Sequence, residues 1–264
     1  MRSPGWKLVL IGLLAGALAG LFGVGGGVVI VPALVAWCAY DQRQAVATSF
    51  IALAPLAVAG VFGYGVHGRV DVLIAVCLAA GTMIGAWIGA ALLSKAPLSF
   101  LRWLFALMAL ATALRLILDP GVPAGAVHHE WWRLALLVPV GVVIGIVSAL
   151  TGIGGGSLMV PVMQLGFQVP AALARGTSLL VILPTSLLGG WRNLRQGNGS
   201  LRDAVWIGLS GVVATVATSQ WSVVMDPALS DALFGCLLVF VAVRTVWGDL
   251  RALLGGRRRA RSAD

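Results

Sequence analysis

Carboxylates are scarce in this chain, and none of them is central. The nine acidic residues are Asp41, Asp71, Asp119, Glu130, Asp203, Asp226, Asp231, Asp249 and Asp264. Each falls at the end of an apolar run, in a connecting stretch or in the tail. None is placed to act as a mid-span proton relay or cation ligand, which argues against a metal-cation permease and a carboxylate-coupled proton antiporter. The three histidines, His67, His128 and His129, also stand at edges. There is no Asp pair, no buried His beside a Ser and no HExxH, so an intramembrane hydrolase lacks its catalytic groups. Cys38, Cys77 and Cys236 lie in apolar segments with no CxxC spacing, so no disulfide framework or cysteine metal site is implied. They are expected as small buried hydrophobes. Nothing calls for a cofactor or metal.

Charge of either sign is rare, at 10% of residues, against 59% hydrophobic residues and a mean hydropathy of +0.99. Soluble domains carry about 25% charged residues. Apolar runs such as 45–66, 70–93, 98–118 and 204–224 approach the roughly 20 residues that one membrane crossing needs. The sequence predicts an all-α, polytopic membrane protein of about eight transmembrane segments, and its first partner is the lipid bilayer. The net charge of +9 includes Arg257, Arg258, Arg259 and Arg261 in the C-terminal tail. Such a run reads as a cytoplasmic anchor on anionic lipid rather than a nucleic-acid site. The first apolar stretch, preceded by Arg2 and Lys7, imitates a signal peptide. It is read as an uncleaved first segment because the second half repeats it.

Shifted by 129 residues, the sequence falls on itself. Gly23-x-Gly25-Gly26-Gly27 lands on Gly152-x-Gly154-Gly155-Gly156, Pro32 on Pro161, Thr48-Ser49 on Thr177-Ser178, Pro55 on Pro184 and Gly68 on Gly197. This predicts a first membrane repeat over 1–118, a connector over 119–133, a second repeat over 134–250 and a basic cytoplasmic tail over 251–264. Internal repeats are a common plan of secondary transporters, with the substrate site where the repeats meet. The stretch from Leu8 to Tyr40 would be about 50 Å long as one helix. It either crosses once, giving parallel repeats, or enters, breaks at the glycines and returns, giving inverted repeats. Counting basic residues does not choose between them. Basic loops change sides between the halves, which leans toward inversion.

Neither glycine patch is a dinucleotide fingerprint, since Val28 and Ser157 stand where the last glycine belongs, and neither is a P-loop. Pairs such as Gly81 and Gly85 suit close helix packing. Three consecutive glycines instead break a helix, and broken backbone at membrane depth is tolerated only inside protein or beside a watery cavity. The short helix that resumes after each patch offers free N–H groups and a positive dipole end, which favour an anion. Pro32, Pro55, Pro161 and Pro184 are expected to kink or end helices. The hydroxyls of Thr48, Ser49, Thr177 and Ser178 would either bond their own helix backbone or a neighbour, or line the site. The candidate substrate site is therefore Gly23, Gly25, Gly26, Gly27, Thr48, Ser49, Gly152, Gly154, Gly155, Gly156, Thr177 and Ser178. Arg175 reads first as a snorkelling residue.

The two copies "GLFGVGGGVVIVPAL" and "GIGGGSLMVPVM", each followed by a Thr-Ser helix with a later proline ("ATSFIALAP", "GTSLLVILP"), resemble the sulfite exporter TauE/SafE family of bacterial membrane permeases. The resemblance runs from about Leu8 to Asp249. It implies a duplicated helical fold of seven or eight spans in the inner membrane. It also implies no enzymatic activity and a small anionic substrate: sulfite, sulfoacetate or another organosulfonate or sulfur oxyanion, moved outward. The first half lacks a match to "WRNLRQGNGS" and has "GYGVHGRV" instead, so the halves would contribute unequally. A homo-oligomer is compatible with the sequence. The competing reading is an accessory membrane subunit that binds a partner protein and transports nothing, which the short loops disfavour.

Overall fold

A computed structural model describes residues 4–92, 130–151, 155–226 and 228–243, with scattered positions between 103 and 118 and Val246. Its elements are α1 (Gly5–Phe22), α2 (Gly27–Cys38), α3 (Gln42–Gly65), α4 (Val72–Leu92), α5 (Trp131–Thr151), α6 (Gly156–Phe167), α7 (Ala171–Arg195), α8 (Leu201–Val224) and α9 (Ala228–Val243). No strand occurs among the described residues. Five of these helices are long and apolar enough to cross a membrane, and four more are shorter and apolar. Their outer faces carry large apolar side chains such as Phe62, Trp87, Leu209 and Val213, as lipid-facing helices require. The cysteines share that character more than the core's, since Cys38 and Cys77 are partly buried and Cys236 is exposed. The chain divides into two compact units, Met1–Ser94 with Val122–Asp226, and Lys95–Gly121 with Pro227–Asp264. The first holds α1 to α8. The second contains α9, whose Phe234, Leu238, Val241 and Ala242 are buried.

Contacts at the helix ends fix the direction of each helix in the first unit. On one side, Lys7 Nζ donates to the Trp37 carbonyl at 2.9 Å, joining the start of α1 to the end of α2. On the same side the Ser200 N–H donates to Thr48 Oγ1 at 3.0 Å, joining the starts of α3 and α8. On the opposite side, Tyr64 near the end of α3 donates to the Gly20 carbonyl at 2.7 Å, and the Asp71 N–H donates to Thr177 Oγ1 at 2.9 Å. So α1 goes across, the chain breaks at Gly23 to Gly26, and α2 comes back. The 12 residues of α2 span about 18 Å, too short for a membrane crossing. α6, also of 12 residues, returns in the same way: its end at Phe167 meets Trp132 and Arg133 at the start of α5.

The halves are inverted. α4 and α5 run side by side in one direction, with Gly81 against Val138 and Gly141, and Gly85 against Val142. α1 and α8 do the same in the other direction, with Gly12 against Ile207, Gly16 against Gly211 and Gly20 against Thr215. A methyl group on any of these glycines would run into the partner backbone. Small residues let the helices approach closely where lipid supplies no hydrophobic drive. Thus the first helix of each half pairs with the fourth helix of the other. A label test follows. With the native cysteines replaced, His67→Cys and Gln196→Cys are expected to react with an impermeant thiol reagent from opposite faces of the membrane. Reaction from one face would contradict the inversion.

Candidate functional site

Both short helices begin on a glycine in the left-handed region. Gly26 caps α2 with φ +76° and Gly155 caps α6 with φ +73°. Neither cap has a side chain to bond the first turn, so the early N–H groups are left to backbone or ligand. The two starts lie against each other in the interior. The Val24 carbonyl sits where a Cβ on Gly156 would be, at 2.7 Å, and Ile182 Cδ1 lies 2.8 Å from the Cβ positions of both Gly25 and Gly156. Gly23, Gly25, Gly26, Gly27, Gly155 and Gly156 are all buried. Gly152 and Gly154 lie outside the described residues. In α6 every residue from Gly156 to Gln164 is buried, so this half-helix is enclosed by protein, as an internally broken membrane segment must be. α2 then ends on one side and α6 on the other, and the positive ends of both dipoles converge in between.

The glycines, not the prolines, set these breaks. Pro32, Pro55, Pro161 and Pro184 all lie inside helices that run past them, to Cys38, Gly65, Phe167 and Arg195. Each proline removes only one donor from its helix, and packed neighbours can satisfy the carbonyl it frees.

The Thr-Ser pairs divide their work. Thr48 and Thr177 are fully buried, and each oxygen accepts the backbone N–H just ahead of the other half's fourth helix. Each hydroxyl proton stays free to be donated elsewhere. Ser178 Oγ donates to the Gly23 carbonyl at 2.5 Å or to its own helix at Arg175, tying the first break to α7. Ser49, its counterpart, is fully buried and its hydroxyl has no hydrogen-bond partner.

Arg175 does not snorkel. It is 1% exposed, with Nη1 3.3 Å from Ser222 Oγ and the guanidinium 6.0 Å from the centre of the Phe22 ring. Tyr64 bonds the same Ser222 at 2.9 Å. The Arg175 backbone abuts Gly23: a Cβ on Gly23 would lie 2.5 Å from the Arg175 carbonyl. A positive charge is therefore enclosed beside the first break. Its equivalent in the other half is Val46, so sequence symmetry could not single it out. The position before Gly176-Thr177-Ser178 was its only signal. The sequence also missed Asp203. It lies in the first turn of α8 and is buried, accepting a hydrogen bond from the hydroxyl of Tyr40, which follows α2. Burial, with the Asp203 carboxylate next, pushes the Tyr40 phenol up to about 12. No group of three or more His, Cys, Asp or Glu that could hold a metal occurs among the described residues.

The family model for sulfite exporter TauE/SafE matches residues 1–116 and 137–263. Among similar proteins, probable membrane transporter protein YunE of Bacillus subtilis is 27% identical over 89% of this chain and 97% of its own length. A probable membrane transporter protein of Xylella fastidiosa (strain Temecula1) is 26% identical, covering 92% of this chain and 95% of its own. A shorter match, 36% identical over 34% of this chain and 37% of the relative, is to probable membrane transporter protein YdhB of Bacillus subtilis. No solved structure matches. A match over nearly the whole chain, full-length relatives of one description and a helical fold with several candidate spans agree: this protein is a membrane transporter and not an enzyme, and it belongs to the sulfite exporter TauE/SafE family.

Proposed function

We propose that the protein moves small anions, namely sulfite, sulfoacetate or related organosulfonates and sulfur oxyanions, outward across the bacterial inner membrane, with its C-terminus in the cytoplasm. The observation that carries this reading is the meeting of two inverted half-helix N-termini beside the buried Arg175. Backbone N–H groups and dipole ends attract an oxyanion without the grip of a paired charge. Repeats over 1–118 and 134–250 would each supply one break, as inverted repeats do around a central site. The site comprises the glycines of both patches with Thr48, Ser49, Thr177 and Ser178, and Arg175 adds positive charge at one edge. Hydroxyls and amides suit release as well as binding.

The test is efflux from proteoliposomes loaded with sulfite, sulfoacetate, sulfate, chloride or rubidium. Sulfur anions are expected to leave well above the rate in protein-free vesicles, and rubidium no faster than in them. No flux of any sulfur anion would remove the substrate class, and rubidium flux would remove the anion site.

A further inference from the structure

The wedge between the start of α5 and the end of α6 holds a lateral cavity of about 260 Å³, lined by Trp132, Arg133, Leu136, Val140, Gly166 and Phe167, with Gln168. Pockets that enclose a drug-sized molecule run to about 300–1,000 Å³, so this one takes part of a larger molecule. At the inverted copy of the wedge the start of α1 and the end of α2 are tied together instead. There, Lys7 and Trp37 stand in place of Leu136 and Gly166, and Lys7 Nζ bonds across to the Trp37 carbonyl. In the second half nothing lies within 4 Å of a Cβ built on Gly166.

The cavity follows α5 inward from its first turn. Trp131 and Trp132, 82% and 45% exposed, open the span that starts at Trp131, as residues at the headgroup level do. Arg133 stacks over Trp132, 5.2 Å from the ring centre. Leu136, Val140 and Phe167 continue the cavity with apolar surface. Arg133 Nε lies 3.1 Å from Glu130 Oε2, yet makes no hydrogen bond. This i, i+3 pair is partly exposed, with Arg133 29% and Glu130 47% accessible, and such a pair is worth little on its own.

We propose that this wedge is a binding site for one phospholipid with a phosphoethanolamine headgroup. The phosphate accepts from Arg133, the primary ammonium donates to Glu130, and the upper acyl chain lies on Leu136, Val140 and Phe167. The charge pattern selects the headgroup. One cation beside one anion matches a zwitterion. A glycerol headgroup leaves the Glu130 carboxylate facing phosphate without a counter-charge, and choline has no N–H to donate.

The test is native mass spectrometry of the full chain released from nanodiscs of equal phosphatidylethanolamine, phosphatidylcholine and phosphatidylglycerol. One phosphatidylethanolamine per chain is expected, retained about tenfold over the other two, the size of one charge-assisted hydrogen bond. Gly166→Trp, which copies the first half, should remove it, and Arg133→Gln should lower its retention about tenfold. Equal retention of the three lipids, preference for phosphatidylglycerol, or unchanged retention in both variants would overturn the site. The readout is binding, so it stands or falls apart from anion transport.

Discussion

Gly26→Leu is expected to abolish anion flux while the protein still inserts in the membrane. Gly26 sits at φ +76°, and a Cβ there would lie 2.7 Å from the Ala15 carbonyl of α1. A side chain in the left-handed region costs about 1–2 kcal/mol before any clash. The leucine must also fit at the cap of α2, over the N–H groups proposed to meet the anion. Gly5→Leu is the control, because nothing lies within 4 Å of its Cβ position. The measurement is initial efflux rate per inserted protein. Full flux through the Gly26 variant would take the first break out of the path.

The second large effect is expected at Arg175. Arg175→Gln should lower anion flux by about 10- to 100-fold, the range of one hydrogen bond to a charged group. Arg175→Lys should restore part of it. Charge acts over a distance in a low-dielectric interior, so the loss should follow the charge rather than the fork geometry. The structure gives the loss a second readout. Tyr64 also bonds Gly20 and Ser222, so both variants are expected to stay folded, and the melting temperature of each is the check. Equal loss in the Lys and Gln variants would make Arg175 a packing element alone.

Much of this arrangement was legible in the sequence, because repetition carries information that single residues lack. The offset of 129 residues marked Gly26 and Gly155, and they prove to have nearly the same backbone conformation. It also paired Ala39 with Gln168, which no motif would suggest, and both are left-handed caps at the ends of the short helices. Charge counting could not choose between crossing and returning, since both arrangements distribute the basic residues equally well. The decision lay in contacts between residues far apart in sequence, such as Lys7 with Trp37 and Tyr64 with Gly20. Proline is a weaker break than its reputation: its cost in a helix is one donor and one clash, and a packed membrane helix can absorb both. Buried charge leaves little trace in a single sequence. Arg175 and Asp203 look like helix-end residues because they are, but the helix ends here are inside the protein. For Thr48 and Thr177 the sequence leaves a neighbour bond and a lining role equally open, and their oxygens anchor the opposite half.

The most direct test places a thiol in the first turn of α6. Ser157 is 2% exposed and follows Gly156, at the point where the two breaks meet. With the three native cysteines replaced, Ser157→Cys should react with a small anionic methanethiosulfonate, and a transported sulfur anion should slow that reaction while rubidium does not. No reaction, or a reaction that an anion carried by the same vesicles leaves unchanged, would contradict an anion path between the two glycine breaks.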